Sequence, residues 1–99
     1  MKDLKNCILM IIDDLTAQGY KEVQFYQVSR FGHMTSLLFF TRKRFFLFRT
    51  VFLCIDVDHN FNESISFATK DKRVVRIVNA VGERFKITFK QEDLPMSNW

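Results

Sequence analysis

Proline, glycine and cysteine are all scarce in this 99-residue chain, at one, three and two residues. So little Pro and Gly excludes collagen-like and low-complexity linker architectures, which need both in quantity. Cys7 and Cys54 stand inside apolar runs with no CxxC and no His-spaced partner. Neither a disulfide scaffold nor a zinc site is indicated, and each thiol is expected to pack as a small core residue. No uncharged stretch is long enough for a bilayer span: residues 45–57 contain Arg49, and the wider stretch is broken by Arg42, Lys43 and Arg44. The apolar run at residues 7–12 ends at Asp13 and Asp14, too early for a secretory signal. GxSxG, P-loop, GxGxxG and HExxH patterns do not occur. These absences favour a cytoplasmic chain that does not engage a membrane.

What is abundant is phenylalanine. Twelve Phe in so short a chain must be buried against something large, within one domain or against a second subunit. At this length a single core is adequate but not generous, so residues 1–99 are expected to form one α+β domain, with residues 94–99 as a loosely held tail.

The elements follow from periodicity. Leu4, Ile8, Ile11, Ile12 and Leu15 fall at helical spacing, with Asp3 as a candidate N-cap and Gly19 as the stop. Leu9 and Met10 lie near the polar side of that helix and are candidates for a subunit contact. Residues 22–30 read as a strand that returns, through a Phe31-Gly32-His33-Met34 turn, as residues 35–41. Residues 45–57 are apolar on both alternating faces and make the central strand. A turn at Asp58-His59-Asn60 precedes a short strand signal at Ile65 and Phe67. Val74, Ile77, Val78 and Val81 mark a second helix over residues 70–81, with Gly82 as its stop. Phe85, Ile87 and Phe89 then alternate with Lys86, Thr88 and Lys90 as a last strand. The order α-β-β-β-(β)-α-β predicts an antiparallel sheet of four to five strands with two helices packed on it.

Charge is placed in blocks. Residues 30–50 carry a net +5 with no acid, and residues 70–90 carry +5, separated by −3 over residues 51–69. This distribution suggests a basic surface and an acidic patch. Arg42, Lys43 and Arg44 form the tip between two Phe-rich runs, where guanidinium groups can grip phosphates by paired hydrogen bonds. The same cations also keep Phe-rich strands from pairing with other chains. Lys70, Lys72 and Arg73 open the second helix against the usual preference for acids there, and Arg76 lies one turn on. Backbone N–H groups and basic side chains at that point suit an anion or phosphate. A meander would bring His33 near Asp58 and His59, a polar turn whose spacing matches no zinc or calcium pattern.

The order helix, three strands, helix, strand is similar to the core of the PD-(D/E)xK nuclease superfamily, a resemblance of topology. In that superfamily an Asp and an acid-x-Lys pair at strand ends hold a divalent metal. The resemblance implies Asp56 for the first role, whereas Glu83-Arg84-Phe85-Lys86 is spaced differently from the second. The early part is also similar to a double-stranded-RNA-binding domain, which implies residues 70–81 as its basic helix; the Gly-rich and Lys-Lys-x-Ala-Lys signatures of that family do not occur.

The chain thus reads as a small non-catalytic binding or regulatory module. Its expected partner is nucleic acid or another polyanion, held by Arg42, Lys43, Arg44, Lys70, Lys72, Arg73 and Arg76. No catalytic residue, metal ligand or cofactor is assigned. A homodimer through Leu9 and Met10 is expected, and one alternative function is a protein-interaction module, an adaptor or inhibitor, that uses the Leu9 and Met10 surface and the acidic Asp56 and Asp58 turn. Another is a metal-dependent nuclease using Asp56, Asp58 and a histidine.

Overall fold

The computed structural model describes residues 4–42, 49–59 and 64–92, and for Arg42, Arg49 and Thr50 it describes the backbone. Its elements are α1 (Leu4–Ala17), β1 (Val23–Arg30), β2 (Met34–Arg42), β3 (Arg49–Asp58), β4 (Ser64–Ala68), α2 (Lys72–Phe85) and β5 (Lys90–Gln91). The five strands form one sheet in the order β1-β2-β3-β4-β5, antiparallel except for β5, which runs parallel to β4. The fold is α+β with the expected element order. Asp3, Lys43, Arg44, residues 45–48, Asn60 and the tail at 94–99 lie outside the described residues. Among the described residues no helix is long and apolar enough to cross a membrane.

Both helices pack on one face of the sheet. Alternation turns Leu37 and Phe39 of β2, Leu53, Ile55 and Val57 of β3, and Ile65 and Phe67 of β4 toward Cys7, Ile8, Ile11 and Leu15 of α1 and Val74, Val78 and Val81 of α2. Fully burying side chains such as Phe39 and Phe67 contributes about 1.5–3 kcal/mol each, so this single layer supplies most of the apolar driving force. The opposite face carries Tyr26, Leu38, Phe40 and Cys54. It also holds a row that the register aligns across the sheet, Val28, Ser36, Asp56, Ser66 and Lys90.

The chain departs from simple periodicity at four places. Met34 already pairs with Arg30, so the β1–β2 connection is the three residues Phe31, Gly32 and His33, and Phe31 joins Gly32 in left-handed backbone at φ of 56° and 72°. Phe39 pairs with Leu53 and Phe40 with Val51, which leaves Phe52 as the extra residue of a bulge in β3. Helix α2 runs past Gly82 to Phe85, and its stop is Lys86 in left-handed backbone. Lys86 N–H donates to Glu83 O at 3.2 Å and Ile87 N–H to Gly82 O at 2.8 Å, the paired bonds that close a helix C-terminus. Gly82 is buried for a different reason: a Cβ there would sit 2.6 Å from Ile87 O and 2.9 Å from the Phe89 ring. Because Phe85 belongs to the helix, the expected last strand shrinks to Lys90 and Gln91, with Phe89 turned into the core edge-on to Phe67.

Candidate polyanion-binding end

Helix α2 begins where β4 ends, and side chains from distant parts of the chain anchor that junction. The Thr69 hydroxyl donates to Phe52 O at 2.6 Å and accepts from Asp71 N–H at 3.2 Å. The bulge frees Phe52 to stack on Tyr20, ring centres 5.3 Å apart and 16° from parallel. Asp71 is the N-cap of α2: its Oδ1 accepts from Arg73 N–H at 2.8 Å. Its Oδ2 accepts from the Tyr20 hydroxyl and lies 3.7 Å from the Arg73 guanidinium. That guanidinium sits 5.2 Å from the centre of the Tyr20 ring, within range of a cation–π contact.

The electrostatics follow from these contacts. The Tyr20 hydrogen bond, with lesser help from Arg73 N–H and the Arg73 charge, holds the Asp71 carboxyl below its ordinary range against the opposing effect of burial. Burial, reinforced by the bond to Asp71, pushes the Tyr20 phenol up. The basic start of α2 therefore already has its own anion, in Asp71. A phosphate arriving here would be held by side chains more than by the helix N-terminus.

Lys70, Lys72, Arg73 and Arg76 are all exposed, and of these four Arg73 is the one that pairs with a described carboxylate, Asp71. The register relates them to the other basic block. Cys54 pairs with Ala68, so the chain leaving β4 through Thr69 and Lys70 runs alongside Phe52, toward the end of β3 where Arg49 pairs with Arg42. At about 3.3 Å per residue the backbones of Arg49 and Lys70 are offset by roughly 10 Å along the strand direction. Arg42 is thus placed at this end by its backbone, while Lys43 and Arg44, which follow it in sequence, lie outside the described residues.

The remaining candidates sit elsewhere. Leu9 is 49% exposed, and Met10 packs partly buried against the core. As the meander requires, His33 and His59 adjoin, with His59 N–H donating to His33 O at 2.7 Å. Their rings face other partners: His59 Nε2 is 2.9 Å from Thr35 Oγ1, and His33 Nδ1 is 2.9 Å from Phe31 O. Among the described residues no three His, Cys, Asp or Glu side chains are grouped as metal ligands. Asp56 accepts from the fully buried Ser36 hydroxyl at 2.6 Å and from the Cys54 thiol at 3.4 Å. Burial, aided by Asp56, pushes the Cys54 thiol up to about 12, so it stays protonated and unreactive near neutrality.

Sequence reasoning missed Tyr20 and Phe52 as the supports of this end. They lie 51 and 19 residues from Asp71, and no local pattern signals the contact. The chain matches no family model, no curated protein and no solved structure.

Proposed function

We propose that the protein is a non-catalytic module that binds nucleic acid, or a polyanion of similar charge density, at the end of the sheet where α2 begins. The observation that supports this reading is the convergence of the two basic blocks. Strand register brings Arg42 and Arg49 to the same end as Lys70, Lys72, Arg73 and Arg76, although the blocks lie far apart in sequence. Lys72 and Arg76, one helical turn apart and exposed, present two cations along one ridge. Arg73 is held by Tyr20 and Asp71, which fixes its guanidinium without burying it. Phosphate contacts of this kind position a nucleic acid without reading its bases, so the expected binding is weakly sequence-selective.

The test is Lys72→Glu combined with Arg76→Glu. Both side chains are exposed and unpaired among the described residues, so the melting temperature should hardly move. Affinity for a random oligonucleotide should drop by about tenfold or more. An unchanged affinity would rule out this end as the binding surface.

A further inference from the structure

At the opposite end of the sheet, α1 and the strands part company. Alternation along β1 turns Val23, Phe25, Gln27 and Ser29 to the helix side, and the first two are apolar while the last two are polar. Thr35 of β2 lies opposite Ser29, and His59 follows Val57 on the same face. The helix-facing surface therefore turns polar over its last row. Above it α1 still presents Leu4, Ile8 and Leu9.

Between them lies an open cavity of about 500 Å³. Its walls include buried Ile8, Leu37 and Val57, with half-exposed Leu9 at the mouth. That volume falls within the range of small-molecule sites, which combine an apolar lining with a few placed polar groups. Among the described residues the polar groups here are Lys5, Gln27, Thr35 and His59, none of them acidic, and Lys5 is cationic. The Thr35 hydroxyl, 2.9 Å from Nε2, orients the His59 ring, while the bond from His59 N–H to His33 O anchors its backbone.

We propose that this cavity binds a small amphipathic carboxylate, its apolar body against Ile8, Phe25, Leu37 and Val57 and its carboxylate toward Lys5 and His59. Apolar lining selects the body. The cationic and hydrogen-bonding rim selects the head. The site lies at the far end of the strands from Phe52 and Thr69, so it is independent of the polyanion surface.

The experiment is calorimetry and thermal shift of the full chain with decanoate below its micelle concentration, against 1-decanol and acetate. Decanoate should bind saturably and raise the melting temperature by linkage, with decanol weaker and acetate inactive. Lys5→Glu, at an exposed position where an acid suits the helix start, should weaken decanoate by about tenfold and leave decanol unchanged. Gln27→Trp, also at an exposed position, should fill the cavity and abolish both. Lys72→Glu with Arg76→Glu should leave decanoate binding intact. The proposal is overturned by the absence of saturable binding, or by binding that survives both Lys5→Glu and Gln27→Trp. It is equally overturned by a melting temperature that rises with protein concentration and not with decanoate, which would assign the cleft to a second copy of the chain.

Discussion

Replacing Asp71 by Ala should destabilise the fold and tighten polyanion binding at once. The carboxylate caps α2 through Arg73 N–H, accepts from the Tyr20 hydroxyl and neutralises part of the Arg73 charge. Loss of the cap costs about 1 kcal/mol. Loss of the Tyr20 bond costs about another 1 kcal/mol, below the usual range for a charged acceptor because the pair is only partly shielded from water. For a chain of this length about 2 kcal/mol corresponds to a fall of roughly 10 °C in melting temperature. Tyr20→Phe should retain the stack on Phe52 and lose only the hydroxyl, about half that effect. The double variant should fall short of the sum, because the two side chains share one interaction.

The pH dependence has a definite sign. Asp71 is held below its ordinary carboxylate range in the folded chain, so its contribution is full above the unfolded value of about 4 and is lost as pH falls through the folded one. Asp71→Asn should flatten that part of the acid limb and leave the neutral region parallel to the parent. With the internal anion gone, Arg73 and the first N–H groups of α2 face solvent, and oligonucleotide affinity should rise by roughly threefold. Calorimetric melting and fluorescence anisotropy read the two effects separately. An Asp71→Ala melting temperature no lower than that of Lys70→Ala, an exposed control, would refute the reasoning.

Three further outcomes test the fold. Gly82→Ala should cost about 1–3 kcal/mol in denaturant unfolding, because the new Cβ meets the Ile87 carbonyl, a backbone group that cannot rotate aside. Ser36→Ala should cost a comparable amount, about 1–3 kcal/mol, by removing the 2.6 Å donor to Asp56 on the sheet face opposite α1 and α2; unchanged stability would show that the bond contributes nothing net. Cys54 should resist iodoacetamide in the folded protein near neutral pH and react on denaturation, since its thiol is pushed up to about 12. Rapid alkylation of Cys54 under native conditions would contradict that assignment.

The elements with strong periodicity were legible in the sequence. The Leu4, Ile8, Ile11, Leu15 stripe and the doubly apolar central strand announced helix and core directly, and Gly19 ends α1 as expected, at φ of 101°. Gly82 misled because glycine at a helix end and glycine at a close backbone approach look identical in sequence; only the returning Ile87 and Phe89 distinguish them. The bulge at Phe52 was hidden because both faces of its strand are apolar, so a one-residue slip leaves the pattern unchanged. At the candidate site the exposed cations were legible one by one, and their convergence was not, since it depends on the pairing of β2, β3 and β4. Asp71 stands among those cations in the sequence, but its hold on Tyr20 is a tertiary contact that no local pattern signals. The cavity beside α1 was equally invisible, because it arises where an apolar helix overlies a strand end that has turned polar.

The central claim is that the α2 end holds a polyanion by several simultaneous phosphate contacts, and a salt titration tests it most directly. Affinity of the full chain for a random oligonucleotide, single-stranded and duplex, would be measured by anisotropy as salt is raised. If about four cations engage phosphates, log affinity should fall against log salt with a slope of about −3 to −4, roughly a hundredfold between about 50 and 200 mM. Lys72→Glu with Arg76→Glu should flatten that slope by about two. Absence of binding at the low-salt end, or a slope near zero that the variant leaves unchanged, would contradict the account.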